Sequence, residues 1–151
     1  MSILYAVPII TSTASVLFAA NQHFFFGLFL HPNVKQNAKQ VFTPWWNAMV
    51  PTGLVYVIAP IVGTIASSLA IIKTSELVHE KGTGRWYIAS AVLAAGHFAF
   101  VPLVLPRVKA MSNGGLSPFL DEWLRVHVIR SFTVDLGCWI SAIIAFTKTL
   151  S

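Results

Sequence analysis

Residues 125–146 read R-V-H-V-I-R-S-F-T-V-D-L-G-C-W-I-S-A-I-I-A-F, and this stretch decides the fold. It is apolar enough for a helix that crosses a membrane, yet His127, Arg130 and Asp135 lie inside it. An ionisable group at membrane depth costs about 2.5–3.5 kcal/mol on insertion scales, so such groups usually serve a function. The stretch therefore predicts a membrane-spanning helix that carries a functional site.

The composition of the whole chain is typical of an integral membrane protein. Of its 151 residues, 56% are hydrophobic and 10% are charged, whereas soluble domains carry about 25% charged residues. Apolar segments, each near or above the ~20 residues that cross the hydrocarbon, cover residues 3–30, 51–72, 86–105 and 126–146. We therefore predict an all-α, integral membrane four-helix bundle in which residues 1–151 form a single domain.

Prolines and tryptophans mark the connections between these segments. In the first connection, Pro32 and Pro44 are expected to break the helix at both ends. Trp45 and Trp46 follow directly and indicate an interfacial belt, or the rim of a cavity at headgroup level. In the third connection, Pro118 is followed by two acids, which predicts that the fourth helix begins near this proline.

The ionisable residues of the fourth segment lie on one polar stripe. With about 100 degrees of rotation per residue, one arc of roughly 140 degrees holds His127, Arg130, Ser131, Asp135, Cys138 and Ser141. A spacing of five residues points Arg130 and Asp135 ~140 degrees apart on an α-helix, which makes a pair within the helix awkward. Each is expected to reach a neighbouring helix or a ligand.

The other segments also carry polar faces. The first has Ser12, Ser15, Ala19, Gln22 and His23 on one side, the second has Tyr56, and the third has His97. All four helices can therefore bring polar groups to one interior. Stripes of small and hydroxylated residues are also ordinary contacts between membrane helices, so helix packing stays open as the alternative.

Metal and cofactor motifs are absent from the sequence. No H-x-x-x-H, H-x-x-E or C-x-x-C spacing is present, Cys138 is the single cysteine, and no nucleotide-binding glycine motif occurs. We therefore expect no metal and no cofactor. His23, His97 and His127 are better interpreted as proton donors or acceptors.

Four motifs in order resemble one known family. They are G-L-F-L-H-P-N-V (27–34), W-N-A-M-V-P-T-G (46–53), W-Y-I-A-S-A-V-L-A-A-G-H-F-A-F-V-P (86–102) and W-L-R-V-H-V-I-R (123–130). Together they cover most of the chain and resemble the anthrone oxygenase-like family of small four-span membrane proteins, common in fungal polyketide clusters. The resemblance implies a cofactor-independent oxygenation, in which an anthrone loses an acidic C–H proton and its carbanion reacts with O2.

The resemblance also implies roles for individual residues. Trp123, His127 and Arg130 match the W-x-x-x-H-x-x-R signature that opens the fourth segment. His127 or His97 would be the base, and Arg130 would hold the enolate oxygen. Helix geometry, and not this signature, adds His97, His23 and Asp135. One departure leaves the substrate open, because F-A-F-V-P-L-V-L-P-R-V lacks the Thr and Asn that the family usually has near this proline.

Combining the motifs with the helix faces gives two sets of candidate site residues. The catalytic candidates are His127, Arg130, Asp135, His97 and His23, and the substrate-binding candidates are Gln22, Tyr56, Trp123, Ser131 and Trp46. The expected partners are a lipophilic small molecule and the lipid bilayer. The net charge of +5 does not indicate nucleic acid, since the basic residues are scattered singly.

Three functions fit these expectations. The first is a biosynthetic oxygenase of secondary metabolism in the endoplasmic reticulum membrane. The second is a cyclase or isomerase of a lipophilic terpenoid or polyketide, with Asp135 as a protonating acid. The third is a non-catalytic scaffold or lipophile-binding subunit, whose charges only fix the packing of the helices.

Overall fold

A computed structural model describes residues 3–151, which are almost entirely helical and contain no β-strand. In chain order the elements are a 3-10 turn (Ile3–Ala6), α1 (Val7–Gly27), a 3-10 turn (Leu28–Leu30), α2 (Pro32–Thr74), α3 (Glu76–Glu80), α4 (Gly84–Gly96), a 3-10 turn (His97–Phe100), α5 (Val101–Ser112), α6 (Phe119–Arg130), a π-helical turn (Ser131–Asp135) and α7 (Leu136–Leu150).

Continuous helical stretches form four spans that are long and apolar enough to cross a membrane. We call them the first to fourth spans: Ile3–Leu30, Gln40–Thr74, Gly84–Ser112 and Phe119–Leu150. Each span packs against the next one in the chain, and the fourth packs against the first, which closes the bundle. The prediction of an all-α four-helix bundle is confirmed.

The expected helix break at Pro32 is confirmed, but the expected break at Pro44 was wrong. The chain is extended at His31, and Pro32 is the first residue of α2, where a missing N–H costs little and the His31 side chain caps the turn. The helix then continues through Pro44. Phe42 and Trp46 lie on either side of Pro44 and are buried, and their burial offsets the backbone hydrogen bond that proline removes.

An aromatic core fills the end of the bundle where the first and third connections lie. The Phe26 ring lies 5.6 Å from the Trp46 ring and 5.4 Å from the Trp123 ring. These residues come from α1, α2 and α6, so the aromatic core fixes three helices relative to one another. As a result, the beginning of the fourth span has a defined position against the first span.

Small side chains allow the first and second spans to approach closely near the middle of the bundle. The Thr11 hydroxyl hydrogen-bonds the Thr64 hydroxyl at 2.7 Å. A Cβ atom added at the neighbouring Gly63 would lie 2.9 Å from Cγ2 of Thr11. This helix pair therefore depends on the absence of a side chain at residue 63.

Replacing Gly63 with valine is expected to destabilise the bundle by about 1–3 kcal/mol, because the new side chain overpacks the contact with Thr11. The measurement is thermal unfolding of the purified protein in detergent. Gly27→Val is the control, since a Cβ atom at Gly27 would meet no atom within 4 Å. Equal melting temperatures for Gly63→Val and the wild type would contradict this contact.

Candidate active site

The fourth span departs from α-helical geometry at the point where its charges lie. Ser131–Asp135 form a π-helical turn, in which backbone hydrogen bonds join residues five apart. This wider turn brings the Arg130 and Asp135 side chains together, with Nε of Arg130 3.2 Å from Oδ2 of Asp135. The expectation that a spacing of five makes a pair within the helix awkward was therefore wrong, because it assumed α geometry throughout.

Asp135 also reaches the third span. Its Oδ1 atom lies 2.9 Å from Nδ1 of His97, the first residue of the 3-10 turn in that span. Because a carboxylate only accepts hydrogen bonds, Nδ1 of His97 carries the hydrogen. Both oxygens of Asp135 are therefore engaged, one by a residue of its own span and the other by a residue of the neighbouring span.

His127 joins these groups to the first span. Its Nδ1 atom lies 2.7 Å from Nη2 of Arg130, and its Nε2 atom lies 2.9 Å from the carbonyl oxygen of Ala19. A guanidinium only donates and a carbonyl only accepts, so these partners assign a neutral imidazole with its hydrogen on Nε2. Neither ring nitrogen has a free lone pair in this arrangement.

We call His97, Asp135, Arg130 and His127 the buried cluster. These residues are 8%, 7%, 7% and 1% exposed, respectively. The cluster contains one fixed positive and one fixed negative charge, which neutralise each other in the interior. An unpaired buried charge would cost several kcal/mol, so Arg130 and Asp135 each need the other as a counter-charge in the interior. The cluster also connects three spans, since Ala19, His97 and the fourth span all take part.

Ring stacking fixes the position of His127. The Trp123 ring, part of the aromatic core, stacks on the His127 ring with a centroid distance of 4.8 Å and an angle of 11°. The His23 ring is nearly parallel to that of His127 as well, at 6.5 Å and 8°. His127 is thus held by stacking and by two hydrogen bonds.

A cavity of about 490 Å³ lies beside the cluster, between α1 and the fourth span. Its size lies in the range of small-molecule sites. Phe132 on its rim is 72% exposed, so the cavity opens toward the outside of the bundle. Most of its wall is apolar, and its polar or ionisable side chains are those of His23, His127, Ser131 and Asp135.

A second, much smaller cavity lies on the other side of the cluster. Its volume is about 10 Å³, which is close to the space that a single water molecule needs. His97 and Arg130 line this small cavity, His23 and His127 line the large one, and Asp135 lines both. The buried cluster therefore lies between a large cavity, which could hold a small-molecule substrate, and a small cavity, which has room for about one water molecule.

The candidate residues predicted from the sequence occupy different positions around these cavities. Ser131 lines the large cavity, and Trp123 stacks on His127 behind it. Tyr56 is exposed on α2 and lines the small cavity. Gln22 is half-buried on α1 and lines neither of the two. Trp46 is buried in the aromatic core, where its Nε1 atom has no hydrogen-bond partner, and lines neither cavity.

Two features of the site escaped the sequence-based prediction. The carbonyl oxygen of Ala19 binds His127, but a backbone acceptor has no signature in the side-chain pattern. Phe132 lines the cavity although the α-helical arc placed it away from the polar stripe. The π-helical turn explains the second omission, because it rotates the residues that follow Arg130 relative to an ideal α-helix.

Comparison with known proteins shows similarity to fungal proteins that are named as epoxidases. The chain is 25% identical over 160 residues to the epoxidase pydX of an Acremonium species. It is 24% identical over 156 residues to the probable epoxidase scpX of Mollisia scopiformis, and 23% identical over 155 residues to the epoxidase gkaX of Penicillium citrinum. The alignments cover 99%, 98% and 99% of this chain, respectively, and 96% of each relative.

No family model matches the chain, and no solved structure matches it. The resemblance to the anthrone oxygenase-like family is therefore not confirmed. The similarity that the comparisons find is to the epoxidases.

Replacing Asp135 with asparagine is expected to lower the free energy of unfolding by about 3–5 kcal/mol, because Arg130 is left as an uncompensated buried charge. Replacing both residues, Arg130→Met with Asp135→Asn, is expected to recover at least half of this loss, since an apolar substitute for a buried pair is often near neutral. Reversible unfolding in mixed detergent micelles measures both values.

The matched control is Asp121→Asn, which removes the exposed partner of Arg125. An exposed pair of this kind contributes about 0–1 kcal/mol. If Asp135→Asn is no more destabilising than Asp121→Asn, the buried pair does not exist as described.

Proposed function

We propose that this chain is an oxygenase-type biosynthetic enzyme, embedded in a membrane, that adds oxygen to a lipophilic unsaturated substrate. The names of the similar fungal proteins support an enzyme of the oxygenase type. The observation that carries the proposal is the location of the buried cluster. It places Asp135 and His127 in the wall of a largely apolar cavity of about 490 Å³, with the Arg130 partner of Asp135 behind them.

The position of the cavity supports a substrate that arrives from the hydrocarbon. The cavity opens between the first and fourth spans, both of which are long enough to cross a membrane. Exposed side chains of the bundle include many large apolar ones, such as Leu17, Val92 and Phe132. Such a surface is suited to contact with lipid rather than water. We propose that this membrane is the membrane of the endoplasmic reticulum.

In the proposed reaction, the substrate itself supplies the electrons and no cofactor takes part. A base removes an acidic C–H proton, the carbanion bonds to O2, and protonation of the terminal oxygen gives a hydroperoxide. The hydroperoxide transfers its outer oxygen to a neighbouring double bond, which yields an epoxide and an alcohol. Both oxygen atoms of O2 stay in this product. With an anthrone, the corresponding hydroperoxide loses water and yields the quinone.

His23 is our candidate for the base. It lines the large cavity, and no hydrogen bond among residues 3–151 engages its ring. His127 lines the same cavity, but Arg130 and a backbone carbonyl occupy both of its nitrogens. His97 reaches only the small cavity. Of the three histidines, His23 is therefore the one with a free nitrogen facing the substrate space.

The buried cluster supplies electrostatic stabilisation in this proposal. Arg130 does not line the large cavity, but its positive charge lies behind Asp135 and His127, which do, and in a low-dielectric interior it offsets the Asp135 charge that would otherwise repel a developing carbanion or peroxide. Asp135 holds Arg130 in place and accepts hydrogen bonds through both oxygens. A carboxylate in this arrangement has no proton to donate, which argues against the acid-catalysed cyclase.

The direct test uses the purified protein in lipid nanodiscs with ¹⁸O2 and an anthrone, followed by a lipophilic diene with an acidic C–H. We expect O2 uptake without added reductant, one ¹⁸O atom in each quinone, and two in each epoxy-alcohol. Product oxygen derived from water would contradict an oxygenase. An absolute requirement for a reductant, with ¹⁸O still incorporated, would contradict only the cofactor-independent route.

Replacing His23 with glutamine is expected to lower kcat by about 10²–10⁴-fold, which is the usual contribution of a general base. The melting temperature is expected to stay unchanged, because the His23 side chain is exposed and makes no hydrogen bond. Asn21→Ala is the control on the same helix, since Asn21 is exposed and lines a different groove. Full turnover by the glutamine variant would rule out His23 as the base.

A further inference from the structure

A polar pocket of about 370 Å³ lies at the opposite end of the bundle from the aromatic core. It is enclosed by the turn that leads into α4 and by the last turn of α7. Its side chains include three cations, Lys81, Arg85 and Lys148, together with Thr83 and Trp86. No acidic side chain within residues 3–151 lines this space, which we call the basic pocket.

Within residues 3–151, no acidic side chain forms an ion pair with the three cations of the basic pocket, and Ser151, which also lines it, is not bridged to them either. At the other end of the bundle, Arg107 pairs with Glu122 at 3.1 Å and Arg125 pairs with Asp121 at 2.8 Å. The remaining ion pairs in the described part of the chain belong to the buried cluster. The arginines named above have acidic partners, whereas the cations of the basic pocket have none among the described residues. An anion bound in the pocket would relieve the repulsion between these three side chains.

A tight turn and a buried hydrogen bond connect the two segments that form the basic pocket. Gly82 adopts a left-handed conformation, with φ of 62°, which reverses the chain before α4. The Thr83 hydroxyl hydrogen-bonds the Thr149 hydroxyl at 2.8 Å, and both residues are buried. This bond joins the turn to the end of α7 and keeps Lys148 next to Lys81. A site arranged before binding loses less entropy when its ligand arrives.

An unpaired hydrogen-bond donor belongs to one of the residues that line the pocket. Nε1 of Trp86 is buried and has no hydrogen-bond partner, although indole nitrogen can only donate. The Arg85 guanidinium lies 5.7 Å from the centre of the Trp86 ring. A ligand that brings an acceptor oxygen here would satisfy the donor. The pocket thus needs a group with negative charge and several acceptor oxygens.

We propose that the basic pocket binds a phosphate group, carried by a membrane phospholipid or by a free phosphate compound. Phosphate supplies both the charge that three cations require and the oxygens that the indole N–H requires. Ile88 lies one turn further along α4 and is exposed, which provides an apolar surface next to the pocket for an acyl chain. This site is independent of the oxygenase chemistry proposed above.

The test measures equilibrium binding to the full-length protein in phosphatidylcholine nanodiscs by native mass spectrometry. The probes are dioleoyl phosphatidic acid and inorganic phosphate. We expect saturable binding of phosphatidic acid that weakens about fivefold for each cation removed. The triple variant Lys81→Gln, Arg85→Gln, Lys148→Gln should therefore bind about a hundredfold more weakly. Trp86→Phe, which removes only the N–H donor, should bind several-fold more weakly.

The matched control is Lys35→Gln, Lys73→Gln, Lys109→Gln, which removes the same charge from exposed positions outside the pocket. It should bind phosphatidic acid as tightly as the wild type. Competition by inorganic phosphate would indicate a free phosphate compound as the ligand, and its failure to compete would indicate the lipid. The proposal is overturned if no saturable binding occurs, or if both triple variants lose affinity equally.

Discussion

The Asp135 carboxylate is the group on which the middle of the bundle depends. It neutralises Arg130 within the fourth span and binds His97 in the third span. A charge in this interior is tolerated only with a partner in good geometry, so the backbone must place that partner within reach. The π-helical turn of the fourth span and the 3-10 turn of the third lie at these residues.

The first span is joined to this arrangement through a neutral histidine. Arg130 donates to His127, and His127 donates to the Ala19 carbonyl. The Trp123 ring stacks on the His127 imidazole and belongs to the aromatic core that holds α1, α2 and α6 together. Packing of the aromatic core therefore orients the His127 imidazole near the centre of the bundle. The imidazole in turn positions the Arg130 guanidinium.

Much of this site could be predicted from the sequence because charges stand out in an apolar helix. The stripe from His127 to Ser141 follows from α-helical periodicity, and five of its six residues are buried, Ser131 being half-buried. The contact between Arg130 and Asp135 could not be predicted, since a change from α to π geometry leaves no clear mark in the residue pattern. The continuation of α2 through Pro44 depends on burial against distant residues, which local proline rules do not include.

Charge is balanced within the buried cluster and unbalanced in the basic pocket, and this difference separates the two proposals. The buried cluster contains its own counter-charge and borders a largely apolar cavity, so it lies beside the substrate space without an unpaired buried charge. The basic pocket has three cations that no acidic side chain within residues 3–151 neutralises, as recognition of an external anion requires. We propose the first as a site for chemistry and the second as a site for attachment.

The central claim is that the buried cluster serves catalysis and is not only a packing device. The most direct measurement is ¹⁸O2 incorporation by the double variant Arg130→Met, Asp135→Asn, at a temperature where it is as fully folded as the wild type. Our account predicts that this folded variant loses turnover by two orders of magnitude or more, since about 10²–10³-fold follows the loss of a single stabilising donor. Wild-type turnover by the folded double variant would contradict the account.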